Sequence, residues 1–191
     1  MTMTSQASAQ TEARAERPGV ITMQGDPLTL VGRELKVGDR VPDFHVQTAD
    51  KLQTVGWDDL SENGTKAVLM ILIPSIDTSV CALETGKFNR QITTLPADKI
   101  KVVTISADTP FAQTRWAKEE GVNNIQMLSD HKDRTVGEAF GAQIKELGLL
   151  SRSIFLADKG GVVRYVQTVS EIASEPDYDA VLAAAREVVA A

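Results

Sequence analysis

Cysteine occurs once in the 191 residues, at position 81, and histidine twice, at His45 and His131. One thiol cannot build a disulfide framework within the chain, which suits a reducing cytoplasm. The two histidines are far apart in sequence, with no ligand spacing around either, so they read as solvated or core residues. No metal and no cofactor is expected.

Long apolar runs are missing as well. No stretch nears the roughly 20 apolar residues of a membrane span. Residues 1–18 are rich in Ala, Thr, Ser, Gln and charge, without the run of about 7 to 15 apolar residues that a signal peptide needs. They read as a disordered tail that begins to order near Pro18 or Gly19, ahead of a single domain over 19–191. An excess of positive charge is also lacking. The net charge of -6 argues against nucleic acid or an anionic membrane surface as partner, since either would call for a basic patch. What remains is ordinary globular composition, 42 % hydrophobic and 24 % charged, enough for one domain with a real core.

Strand and helix signals alternate along that domain. Val20–Met23 and Leu28–Val31 flank the turn-rich Gln24-Gly25-Asp26-Pro27 and predict a β-hairpin. Asp43–Gln47 is a short strand candidate and Trp57–Leu60 a helical turn. The apolar run Val68–Ile73 predicts a buried strand, Val80 to about Leu95 a helix, Lys101–Ser106 a strand, and Phe111–Glu120 a helix ended by Gly121. Ile125–Leu128 follows as a strand and Arg134–Phe140 as a helix ended by Gly141. Ser153–Ala157 and Val162–Thr168 are strands around Asp158-Lys159-Gly160-Gly161, and Asp177–Val189 is an Ala-rich closing helix. The order indicates an α/β architecture, a mixed central sheet flanked by helices with an N-terminal β-hairpin.

The chemistry concentrates after the run Val68–Ile73. Pro74 stops the strand, and the cluster Asp77-Thr78-Ser79 leads into the next helix, which puts Cys81 in or near its first turn. Unpaired backbone N–H groups and the positive end of the helix dipole there favour a thiolate. A free thiol is roughly 3 % ionised at pH 7, so full ionisation gains only about thirtyfold. Donors aimed at the developing charge must supply the larger share.

Proline, three residues, threonine, two residues and cysteine (Pro74, Thr78, Cys81) resembles the peroxidatic motif of the peroxiredoxins, and Pro74–Cys81 with Lys87-Phe88-Asn89 resembles their thiol peroxidase branch. Further segments agree in order: Ile105–Gln113, Gly121–Asn124, Gly148–Arg152 and Glu175–Asp179. The resemblance implies a thioredoxin-like fold and a thiol-dependent peroxidase acting on hydrogen peroxide and organic hydroperoxides. Cys81 would attack the O–O bond and become a sulfenic acid. Thr78 would turn its hydroxyl toward the sulfur or the peroxide, Arg152 would hold both with its charged fork, and Pro74 would screen the sulfur from bulk water. An apolar rim from Phe44, Phe111, Trp116 and Leu149 would favour organic hydroperoxides, although at helical spacing Phe111 and Trp116 are more often core. A homodimer joined near the site is the family expectation.

The resemblance breaks at Ala117, where thiol peroxidases of this branch usually carry a resolving cysteine. With one sulfur per chain the expected cycle is a one-cysteine one, the sulfenic acid being reduced by an external thiol, a thioredoxin-like protein or a small molecule. Two other readings compete with it. A redox sensor or partner-binding module would oxidise once without turnover, and a binding domain with an inert buried thiol would not react at all.

Overall fold

The computed structural model describes residues 15–62 and 64–191. Seven strands form one sheet in the order β11-β10-β5-β6-β7-β3-β4. Their spans are β3 Val46–Thr48, β4 Thr54–Val55, β5 Ala67–Leu72, β6 Ile100–Ser106, β7 Gln126–Ser129, β10 Ser153–Asp158 and β11 Val163–Thr168. β5, β6 and β7 run parallel, while β10 is antiparallel to both β5 and β11, so the sheet is mixed as expected.

The apolar run makes β5 the buried centre, and every one of its six residues is buried. Successive side chains of a strand point to opposite faces. Ala67, Leu69 and Ile71 accordingly pack with Phe88, Trp116 and Val181, whereas Val68, Met70 and Leu72 pack with Phe44, Leu60, Val136 and Phe155. The first face is covered by α2 (Ser79–Gln91), α3 (Pro110–Glu119) and α5 (Tyr178–Ala190), the second by the short α1 (Trp57–Ser61) and α4 (Thr135–Ala139). Thr78, Thr109 and Asp177 cap α2, α3 and α5 by accepting a hydrogen bond from a first-turn amide. No helix among the described residues is long and apolar enough to cross a membrane.

A second sheet, β1-β2-β8-β9, joins the hairpin of β1 (Glu16–Met23) and β2 (Asp26–Val31) to β8 (Gln143–Ile144) and β9 (Leu149–Leu150). The hairpin turn is the two-residue Gln24-Gly25, both at positive φ, the geometry that matches strand twist. Strand β1 begins at Glu16, inside the segment expected as tail. Arg17 anchors it, donating to the carbonyls of Gly32 and Gly141. The rest of that expected tail, residues 1–14, lies outside the described residues.

Other boundaries moved for local reasons. The strand expected over Asp43–Gln47 is Val46–Thr48, because the N–H and C=O of His45 are bonded by the hydroxyl of Thr135 instead of a neighbouring strand. Helix α2 ends at Gln91 and tightens into a 3-10 turn, Ile92–Thr94. Arg134 precedes α4 in the left-handed region, φ 50°.

Candidate active site

Thr78 sits in extended conformation as the N-cap of α2, and its Oγ1 accepts the Cys81 N–H at 3.2 Å. Cys81 is therefore the third helical residue, within the turn whose amides have no intrahelical partner. Its side chain lies on the inward face of α2 with Glu84, Thr85 and Phe88, the i, i+3, i+4, i+7 stripe of a helix packed on a core. The thiol is fully covered, at 0 % exposure.

Arg152 comes from a distant part of the chain. It immediately precedes β10, and the pairing of Ser153 with Leu72 sets the start of β10 beside the carboxyl end of β5, the same edge from which Cys81 is delivered. Its guanidinium is 1 % exposed and makes four hydrogen bonds. Nη2 donates to Cys81 Sγ at 3.3 Å and to the Ile172 carbonyl at 2.9 Å, Nε donates to the same carbonyl at 3.1 Å, and Nη1 donates to Glu84 Oε2. A guanidinium has five N–H donors. One Nη1 hydrogen is left without a partner among the described residues.

The Ile172 carbonyl is itself held in place by the second sheet. Thr22 of β1 bonds through its backbone to Ser170 O at 2.6 Å and accepts from Ile172 N at 2.9 Å. The N-terminal hairpin thus fastens the segment that orients Arg152.

Glu84 is completely buried and pairs with Arg152, while its Oε1 has no hydrogen-bond partner among the described residues. Burial pushes its carboxyl up to about 7, against the opposing pull of the Arg152 charge, with Glu175 adding to the rise. Burial works against the charge on Arg152, but the neighbouring Glu84 and Cys81 outweigh it and raise its affinity for its proton. The arrangement is a buried cation flanked by one carboxylate and one sulfur. Chemically, it can hold a thiolate and still present a donor to an incoming oxygen.

Of the four residues singled out from the sequence, Cys81, Thr78 and Arg152 come together. Pro74 is buried two residues beyond β5 and makes no hydrogen bond to the other three. The apolar rim does not form as expected. Phe44 packs edge-on against Phe140 in the core, with ring centroids 5.5 Å apart, and Trp116 is core on α3. Phe111 is 72 % exposed and Leu149 only partly buried. Glu84 escaped the sequence reading. Its signal was a charge three residues after Cys81, on the face of α2 that the cysteine and Phe88 mark as inward.

Segments quoted for the resemblance meet around α2. Lys87 pairs with Glu175 at 2.6 Å and lies 5.2 Å from the Tyr178 ring centroid, and Tyr178 donates its hydroxyl to the same Glu175 carboxylate at 2.6 Å. Asn89 Oδ1 accepts from the amides of Asn123 and Asn124 at 3.1 and 2.8 Å. Ala117 lies partly buried on α3, packed against the cluster that contains Cys81.

Residues 37–166 match the model of the AhpC/TSA family. The chain is 45 % identical to the thiol peroxidase of Bacillus subtilis (strain 168) over 169 residues, 88 % of this chain and 98 % of that one. It is 40 % identical to the thiol peroxidase of Streptococcus pneumoniae (strain ATCC BAA-255 / R6), also over 169 residues, 87 % of this chain and 99 % of that one. Among solved structures it resembles a peroxiredoxin-like protein from Aquifex aeolicus, with TM-score 0.79 and 39 % identity, covering 89 % of this chain and 97 % of the other.

Proposed function

Because the chain belongs to the AhpC/TSA family, in the thiol peroxidase branch of the peroxiredoxins with their thioredoxin-like fold, we propose that its thiol-dependent peroxidase activity runs through Cys81, held by Arg152 and Thr78. The observation that carries the assignment is the 3.3 Å contact from Arg152 Nη2 to Cys81 Sγ inside a site closed to solvent. A full positive charge in such a site stabilises a sulfur anion far more than it would in water.

The Cys81 thiolate attacks one oxygen of the hydroperoxide. An S–O bond forms as the O–O bond breaks, sulfur is oxidised by two electrons, and the departing oxygen takes a proton to leave as water or alcohol. The unpartnered Nη1 hydrogen of Arg152 is a donor left for the peroxide, and the Thr78 hydroxyl, three residues before Cys81, accepts the Cys81 N–H and donates to the Ser75 carbonyl at 3.4 Å. Pro74 closes the loop between β5 and the helix and keeps bulk water off the sulfur. Since Cys81 is fully covered, substrate enters when the side chains above it give way.

With a single cysteine in the chain, the sulfenic acid has no internal sulfur to condense with. An external thiol attacks it, releasing water and forming a mixed disulfide, and a second thiol restores Cys81. That thiol is a thioredoxin-like protein or a small molecule, which suits a cytoplasmic location. Hydrogen peroxide and organic hydroperoxides are both substrates. A homodimer joined near the site belongs to the same reading, supported by two exposed apolar side chains on the helices that start at this end of the sheet, Leu83 on α2 at 46 % and Phe111 on α3 at 72 %.

Steady-state turnover is the test. Consumption of peroxide in large molar excess over protein, with a thioredoxin system or dithiothreitol present, is the expected result. A single stoichiometric oxidation would make the chain a sensor, and an unmodified Cys81 by mass spectrometry would make the thiol inert.

A further inference from the structure

The turn that delivers Thr78 and Cys81 is held from across the sheet by one carboxylate. Asp108 follows β6, the parallel neighbour of β5, so it stands beside the point where the chain leaves β5. Its Oδ1 accepts the Ser75 hydroxyl at 2.8 Å, and its Oδ2 accepts the Ile76 N–H at 2.9 Å and the Ser106 hydroxyl at 2.7 Å. Ser75, so held, organises the rest of the turn. Its Oγ accepts from Asp77 N at 3.2 Å and its carbonyl from Thr78 N at 3.3 Å.

Asp108 is braced in turn. Ser129 Oγ of β7 donates to its main-chain carbonyl. Gln113, fully buried on α3, donates through Nε2 to Ser106 Oγ at 2.9 Å and to Leu128 O at 2.8 Å. Ser106 spends its one hydroxyl proton on Asp108 and accepts from Gln113, so the chain of bonds runs one way, from α3 through β6 to the loop before Cys81. Nothing in this network touches Cys81 Sγ or Arg152.

We propose that Asp108 is a positioning residue for the peroxide reaction: by holding Ser75 and Ile76 it sets the turn from which Thr78 caps α2 and Cys81 meets Arg152. The proposal rests on Cys81 being the peroxide-reactive atom. Thr78 is two residues beyond the held amide, and its cap on the Cys81 N–H depends on where that turn lies. Loss of the carboxylate frees two residues of backbone next to the cap. Displacement of about 1 Å by a residue away from the chemistry can cost about a hundredfold in rate.

The experiment compares wild type with Asp108→Ala, Asp108→Asn and Ser75→Ala. It reads the rate constant for Cys81 oxidation by hydrogen peroxide, the rate of alkylation by iodoacetamide, and hydrogen exchange over residues 75–82. In Asp108→Ala the peroxide rate is expected to fall by about tenfold or more, while alkylation, which needs the thiolate but no aligned peroxide, falls less. Asp108→Asn, which keeps one acceptor oxygen, should retain part of the rate. Ser75→Ala should lose less than Asp108→Ala, since it leaves the Asp108 bond to the Ile76 N–H in place. Exchange should quicken over 75–82 and stay slow across β5 and β6.

A peroxide rate within twofold of wild type in a folded Asp108→Ala protein overturns the proposal, as does an equal loss of peroxide and iodoacetamide reactivity. If Asp108→Ala does not fold, Asp108→Asn and Ser75→Ala decide by the same criteria. Should wild type prove unreactive to peroxide, the proposed function fails separately. Exchange over 75–82 then decides whether Asp108 holds the turn, and unchanged protection rejects it.

Discussion

Arg152 Nη2 lies 3.3 Å from Cys81 Sγ although the two residues are 71 positions apart in the chain. The contact follows from strand pairing. Because β10 runs antiparallel to β5 with Ser153 opposite Leu72, the residue before β10 is level with the residues that leave β5. A shift of one residue in that register would turn Arg152 to the other face of the sheet.

Replacing Cys81 with Ser should abolish peroxide consumption while leaving the far-UV circular dichroism unchanged. Oxygen is the smaller atom but keeps the shape of the side chain, and a serine hydroxyl does not ionise near neutral pH. Turnover retained in the variant, measured with excess peroxide and dithiothreitol, would remove the nucleophile from the mechanism.

Arg152→Ala acts on rate and stability together. By analogy with removing one oxyanion donor, the peroxide rate constant should fall by roughly 10²–10³, or about 2.7–4 kcal/mol. Glu84 would lose its partner while fully buried, so stability should fall as well, most above about pH 7 where its carboxyl is ionised. Urea denaturation and stopped-flow oxidation measure the two losses. Glu84→Gln separates them, since it keeps an acceptor for Nη1 without the charge.

Thr78→Val removes the oxygen that caps α2 and keeps the β-branched shape. A loss of about 1 kcal/mol in stability is expected from the missing cap, with a lower peroxide rate besides. Thr78→Ser restores both. A rate unchanged in Thr78→Val would confine the residue to capping.

Stability should depend on pH through Glu84. Its carboxyl ordinarily titrates at 4.5 and is pushed up to about 7 by burial. Between those values the unfolded chain has released the proton and the folded one retains it, so raising the pH through this window destabilises the fold. Asp130, raised from 3.8 to about 6 by burial against the pull of the α4 amides, acts in the same direction at its lower end. Melting temperatures of wild type should therefore fall from pH 5 to pH 7.5, and Glu84→Gln should flatten most of that fall. An identical slope in the variant would refute the attribution.

Oxidation without a thiol present should stop at a sulfenic acid that dimedone traps, visible as one adduct on Cys81 by intact mass. An intramolecular disulfide cannot form with one cysteine. Prolonged excess peroxide should carry the same sulfur to the sulfinic state.

Local order was legible in the residues themselves. The apolar run of β5, the proline after it, Thr78 as a cap and Cys81 in the first turn of α2 all depend on interactions within a few positions of sequence, and each leaves a pattern of residue types. The strand and helix alternation could be read for the same reason. Strands β4, β8 and β9, two residues each, show no period and went unseen.

Tertiary structure alone decided what surrounds the sulfur. Which carbonyl holds Arg152, that Glu84 shares the guanidinium, that Phe44 belongs to the core and not to a rim, and that a hairpin near the amino end steadies Ile172 are all consequences of contacts between distant segments. Such contacts arise from sheet register and from packing two faces against one strand. Neither is encoded in the spacing of neighbouring residues.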